Sequence, residues 1–162
     1  MILMIQTEIR YLKPHEWDDA MALAWKIFLR FEAGEYTEEG IRSFLDLISD
    51  ERLKRLFEMG EYPVYAAFDN EKMVGMISLR SINHISLLFV ADEYHRQGIG
   101  RRLIETMKEH VRRDGRRETI TVNAAPYAVD FYHIVGFVDT DKETKQNGII
   151  FTPMESGLYL EP

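Results

Sequence analysis

The six residues His95-Arg96-Gln97-Gly98-Ile99-Gly100 are the part of this chain best suited to holding a phosphate. They follow an apolar run, Ile85 to Ala91, and precede a helical pattern. A strand, a glycine turn and a helix start place several backbone N–H groups together at the positive end of a helix dipole. At Gly98 and Gly100 a side chain would hold a phosphate away from that backbone. Two common phosphate designs fail at particular residues. A P-loop needs Gly-Lys-Ser/Thr at its end, and Gly100 is followed by Arg101 and Arg102. A dinucleotide fingerprint needs a third Gly or Ala, and that position holds Leu103.

The surrounding composition narrows the ligand. The chain has 162 residues and a net charge of −7, which argues against a long polyanion such as nucleic acid. Between Arg96 and Arg117, however, eight basic residues stand against three acidic ones. An acidic protein with one basic, phosphate-facing element suits a small anionic cofactor. With no cysteine there is no disulfide, thiolate metal site or cysteine nucleophile, and no metal is expected. The apolar start, Met1 to Ile5, is too short for a signal peptide, and no run approaches the ~20 apolar residues of a membrane helix. The expectation is one cytoplasmic domain over residues 1–162, without nucleic-acid or membrane partners.

Several elements must position the glycine turn. Ile5 to Tyr11 alternates as a strand. Trp17, Met21, Ala24, Phe28 and Phe31 recur at helical spacing after Pro14 and before Gly34. Thr37 is placed to cap a second helix with Ile41, Phe44, Leu45 and Ile48 inward, and Asp50 a short third one carrying Leu53, Leu56 and Phe57. Strands follow at 63–68 and 73–79, joined at Asp69-Asn70-Glu71, then at 83–91. A helix over 98–113 turns Ile99, Leu103, Met107 and Val111 to one face and stops at Gly115. A strand at 119–123, a helix at 126–135 ending at Gly136, and strands at 137–141 and 149–151 joined through Asn147-Gly148 complete the order. The class is α/β of the α+β type, with a mixed, largely antiparallel sheet flanked by helices.

The segment Val90 to Leu103, then Asn123, then Phe131-Tyr132-His133-Ile134-Val135-Gly136-Phe137, resembles the GNAT superfamily of acetyl-CoA-dependent N-acetyltransferases. The resemblance implies coenzyme A as the cofactor, its pyrophosphate cradled by His95, Arg96, Gln97, Gly98, Ile99, Gly100 and Arg101. His95 stands where the family usually has Arg or Gln. It also implies a bulged strand that splays from its neighbour, with Leu88 and Val90 offering backbone groups to the pantetheine arm and Asn123 contacting it. Tyr132 matches the tyrosine that protonates the departing thiolate in many relatives.

The implied reaction is direct attack by a primary amine on acetyl-CoA. The acceptor is a small molecule or a peptide, and the protein a monomer or a homodimer. A proton acceptor is required, because an alkylamine has a pKa near ~10. His84 is the first candidate, since it shares strand parity with Ser86, Leu88 and Val90; Glu32 and Glu35 are the second. Glu32, Glu35, Glu38 and Glu39 together suggest a mild preference for a cationic acceptor. The alternative reading is a non-catalytic acyl-CoA-binding or sensing module.

Overall fold

Apolar spacing and capping residues assign each stretch to its element, and a computed structural model describes the result for residues 7–159. The order is β1 (Thr7–Tyr11), α1 (Trp17–Phe31), α2 (Glu38–Ile48), α3 (Glu51–Glu58), β2 (Val64–Asp69), β3 (Lys72–Arg80), β4 (His84–Val90), α4 (Ile99–Asp114), β5 (Thr119–Ala124), α5 (Val129–Ile134), β6 (Val138–Asp139), β7 (Thr144–Gln146) and β8 (Ile149–Gly157). The strands form one sheet in the order β1-β2-β3-β4-β5-β8-β6, with β7 paired to the outer part of β8. Every pairing is antiparallel except β4 with β5. This is the mixed α/β architecture, mostly antiparallel, that the sequence pattern requires.

Each face of the sheet carries its own core. On one face α4 lays down Ile99, Leu103, Met107 and Val111, all buried, against Val74, Ile77, Ile120 and Met154. The four-residue spacing of those side chains builds the stripe, and Gly115 in the left-handed region ends the helix by donating to the Val111 carbonyl at 3.1 Å. On the other face α1 to α3 bury Trp17, Ala24, Phe28 and Phe57 against Val64, Met76, Leu87 and Phe89. Thr37 and Asp50 cap α2 and α3 through their side-chain oxygens.

The differences from the sequence reading have local causes. Ile5 lies outside the described residues. Leu45 and Leu56 are exposed, and Leu47 faces the core side instead, because α2 and α3 each bury only a narrow stripe. The 126–135 helix divides into a 3-10 turn, Pro126–Ala128, and α5. The final strands are more numerous than expected: Asn147-Gly148 joins β7 to β8, and β6 is only two residues long. β8 exchanges partners, pairing β7 through Phe151 and β6 from Met154. Pro153 sits at the exchange, where its carbonyl accepts from Thr140 at 2.8 Å and no donor is needed from its ring nitrogen.

The β7–β8 turn docks onto the start of α2. The Thr37 N–H donates to the Gly148 carbonyl at 3.3 Å. A Cβ on Gly40 would stand 2.7 Å from that carbonyl, and one on Gly148 would collide with the Thr37 hydroxyl. Gly148 also has φ +78°. Gly148→Ala therefore combines left-handed strain with a clash. It is expected to cost more than ~1 kcal/mol and lower the thermal midpoint by about 2–4 °C, with faster hydrogen exchange at the Gly40 amide. An unchanged midpoint would show that the turn is not held against α2.

Candidate active site

The glycine turn is a concavity of backbone amides. A 3-10 turn, Asp92–Tyr94, leaves β4 and is pinned by the Tyr94 hydroxyl, which donates to Asp69 at 2.5 Å. Arg96 and Gly98 then take φ values of +64° and +79°. Alternating left-handed residues turn successive N–H groups to one side. The first helical bond of α4 runs from the Arg102 N–H to the Gly98 carbonyl at 3.0 Å, so the amides of Ile99, Gly100 and Arg101 have no partner within the helix. A Cβ on Gly98 would meet nothing within 4 Å, so the turn is open on that side. Gly100 is also crowded from within: a Cβ there would stand 3.0 Å from the tip of the Phe131 ring, which would have to shift. Arg102 is turned away, its guanidinium donating to the Thr7 hydroxyl and, at 2.8 Å, to the Thr7 carbonyl. Arg96 and Arg101 are exposed and make no ion pair among the described residues. An open amide cradle with two free cations fits a pyrophosphate.

β4 and β5 form a fork. They pair only at His84 with Thr121 and Ile85 with Val122, then part. The Ala91 N–H donates to the Val74 carbonyl at 2.8 Å, and Val90 lies opposite Gly75. Antiparallel residues alternate between bonding their partner and turning outward, so Leu88 and Val90 aim their N–H and C=O groups away from β3 and into the fork. From the other side, the Thr121 N–H bonds the Asn83 carbonyl at 2.9 Å. Asn123, two residues on, turns its backbone groups the same way. The fork is thus lined by unpaired main-chain groups, as an extended cofactor arm requires. One of them is already engaged: His95 Nε2–H donates to the Val90 carbonyl at 2.7 Å. His95 therefore ties the fork's edge to the phosphate turn.

A bulge sets which side chains face which way. The β3–β4 register shifts between Ser78 and Leu79, and Ser86 is the extra residue. Ser86 and Leu87 both face the α1–α3 side, where the Tyr62 hydroxyl bonds Ser78 at 2.7 Å and Ser86 at 2.8 Å. Ile85, Leu88 and Val90 face the α4 side. This corrects the parity expected for His84: the bulge puts its side chain on the opposite face from Leu88 and Val90. His84 instead joins Asn123, Tyr36, Arg80 and Gln146 around a cavity of about 280 Å³ at the closed end of the fork. Its Nδ1 bonds the Thr121 hydroxyl at 2.7 Å. Burial, and then the Arg80 charge, lower its pKa to about 4.

Tyr132 lies on the α4 face, buried between Phe131 and Phe137, with ring centroids 5.3 and 5.2 Å away. Burial, then the charge of Glu32, raise its pKa and keep the hydroxyl protonated. Burial first and the Glu32 charge second also raise Tyr36 and Tyr127, so this carboxylate stands within electrostatic reach of three phenols. Its own pKa is raised to about 7, by burial first and by Glu35 second. Glu32 was a secondary reading in the sequence, Asn147 was read only as a turn former, and Arg80 and Gln146 gave no signal there.

Residues 32–158 match the acetyltransferase (GNAT) domain family, and the chain belongs to that family. Membership of that family makes it an acetyltransferase. A GCN5-related N-acetyltransferase from Rhodopseudomonas palustris has the same fold, with a TM-score of 0.79, 22% identity and coverage of 97% of this chain and 99% of that one. The PaiA N-acetyltransferase from Thermoplasma acidophilum, solved in complex with coenzyme A, gives 0.76, 23%, 94% and 99%. A GNAT-family acetyltransferase from Staphylococcus aureus gives 0.74, 15%, 95% and 100%. Among the described residues, no helix is long and apolar enough to cross a membrane.

Two substitutions test the cradle and its tie to the fork. Gly98→Val is expected to abolish acetyl-CoA binding measured by calorimetry while the protein stays folded, because a branched side chain at φ +79° fills or distorts the cradle. His95→Ala is expected to weaken binding by about tenfold, the worth of one charge-free hydrogen bond and its ordering effect. Wild-type affinity in both variants would place the cofactor elsewhere.

Proposed function

We propose that this protein transfers the acetyl group of acetyl-CoA directly to a primary amine, with the acceptor bound in the cavity at the closed end of the fork. The observation that carries this reading is the junction itself. Unpaired edge groups of Leu88 and Val90 open beside a cavity of mixed polar and apolar lining, with the neutral Tyr132 hydroxyl within reach of the Glu32 charge. The absence of cysteine leaves no thiol for a covalent acyl-enzyme and favours direct attack.

The bound thioester supplies an activated acetyl group and a thiol leaving group. The amide cradle from Arg96 to Arg101 anchors the pyrophosphate, and the side chains of Arg96 and Arg101 balance its charge. Leu88 and Val90 hold the arm as an added strand, and one of their N–H groups polarises the acetyl oxygen. Asn123 contacts the arm from β5. Glu32 takes the proton that an ammonium must lose before it can attack. A carboxylate with a pKa of about 7 is well matched to that task at neutral pH. His84, the first expectation for this role, is a weak proton acceptor at a pKa of about 4, and its place is in the acceptor wall. Tyr132, held neutral by burial, donates its proton to the departing sulfur.

Tyr132→Phe is expected to lower kcat by about a hundredfold or more with acetyl-CoA affinity intact. An unchanged kcat would remove Tyr132 from the mechanism. Cofactor binding without transfer to any of a broad set of amines would favour a sensing module.

Glu32 has a pH signature of its own. As a base it must be ionised, so kcat/KM should rise with pH through about 7, and Glu32→Gln should remove that limb. Its effect on stability has the same origin. The folded pKa lies above the usual 4.5, so the folded state binds the extra proton between about pH 4.5 and 7. The corresponding stability is fully present below 4.5 and lost as pH rises through 7. Glu32→Gln should therefore melt higher than the wild type at pH 8, relative to the difference at pH 4. Equal differences at the two pH values would contradict a half-buried carboxyl with a raised pKa.

A further inference from the structure

We infer that the amine accepted by this enzyme also carries a carboxylate, and that Arg80 receives it. This inference rests on the acetyl-transfer reading and names its acceptor class. The lining of the 280 Å³ cavity includes Arg80, His84, Asn123, Gln146 and Asn147 and contains no Asp or Glu, although the chain has 27 acidic residues. Arg80 has no carboxylate within ion-pairing distance among the described residues. A guanidinium presents a planar fork that matches a carboxylate in two parallel hydrogen bonds. The amides of Asn123, Gln146 and Asn147 add uncharged donors, and His84, with Nδ1 held by Thr121, leaves Nε2 without a protein partner among the described residues.

The backbone is strained where Arg80 is set. Arg80 pairs with His84 across a turn in which Ser81 and Ile82 both have positive φ, +53° and +77°. A β-branched residue in that region is an outlier, and such strain persists where the surroundings fix it. Here Asn83 Nδ2–H clamps the turn to the Thr119 carbonyl at 3.0 Å, on the strand that leads to the cavity. The turn therefore holds Arg80 and His84 side by side at the cavity end of the fork.

The charges then run in one direction. Glu32 and Tyr36 flank the single 3-10 turn Ala33–Glu35, so the wall has a cation at Arg80 and, one short turn beyond its Tyr36 side, the carboxyl of Glu32. A zwitterionic amine fits that polarity, with its carboxylate at Arg80 and its amine toward Glu32. A purely cationic amine, the acceptor suggested by the Glu32, Glu35, Glu38 and Glu39 cluster, would meet a like charge at Arg80 and leave that guanidinium without a partner. The β7–β8 turn docked on α2 contributes Gln146 and Asn147 to the wall, and the 280 Å³ cavity has room for a free amino acid.

The test measures initial rates of thiol release by the full chain with acetyl-CoA and matched acceptors: free amino acids, their α-amides, the corresponding decarboxylated amines, and spermidine. The free acids should be preferred, with KM about a hundredfold lower than for their amides or decarboxylated forms. Arg80→Gln should raise KM for the acids by a similar factor, keep kcat at saturation and acetyl-CoA affinity, and level the three series. Arg80→Lys should fall between. Equal or better turnover of amides, decarboxylated amines or spermidine by the wild type would overturn the inference and leave acetyl transfer standing. So would an unchanged KM for the acids in Arg80→Gln. Acetyl-CoA binding without transfer to any acceptor would overturn the transfer reading, and this inference with it.

Discussion

The parting of β4 from β5 after two residue pairs is the constraint on which the site depends. In the middle of a sheet, unpaired main-chain groups are costly unless something completes them. Here they face each other from both prongs of a fork, at Leu88 and Val90 on one side and Asn123 on the other. The protein satisfies one of them itself, through His95 and the Val90 carbonyl. The rest form an edge of the kind that an added extended chain completes with its own donors and acceptors. The fork can stay open because both strands are fixed on their far sides, β4 against β3 and β5 against β8 over six residue pairs.

The bulge at Ser86 has the second largest effect. It inserts one residue into β4 exactly where the fork begins to open, and it reverses which face the following side chains meet. Tyr62 marks the spot, spanning Ser78 and Ser86 with its single hydroxyl. As a result, Leu88 and Val90 pack toward α4 while their backbone serves the fork, and His84 is carried to the opposite face, into the wall of the cavity. One inserted residue thus separates the cofactor side from the acceptor side along a single strand.

Electrostatics follow burial more than net charge. The chain is acidic overall, yet among the described residues the cradle is bordered by arginines without ion-pair partners and the cavity wall holds Arg80 and no carboxylate. Glu32 acquires its raised pKa mainly from desolvation at the end of α1, and Tyr132 is kept protonated for the same reason. Two groups that would be unremarkable in water are brought to opposite proton-transfer roles in the proposed reaction by their distance from solvent.

Much of this was written in local patterns. Apolar spacing at Ile99, Leu103, Met107 and Val111 determined α4 and its buried face. Thr37, Asp50 and Gly115 marked helix ends, and the glycine turn with Asn123 and the Phe131–Phe137 stretch marked the family. Such signals reach only a few residues along the chain, so they determine elements and motifs. Other features needed the folded chain. The bulge that turns His84 from Leu88 arises from how two strands register. The raised pKa of Glu32 comes from residues that bury it. The acceptor wall gathers Tyr36, Arg80, Asn123 and Asn147 from four separate segments. An arginine at the end of a strand reads as one more solvated charge until the fold sets it, still exposed and without an ion-pair partner among the described residues, in the wall of the acceptor cavity.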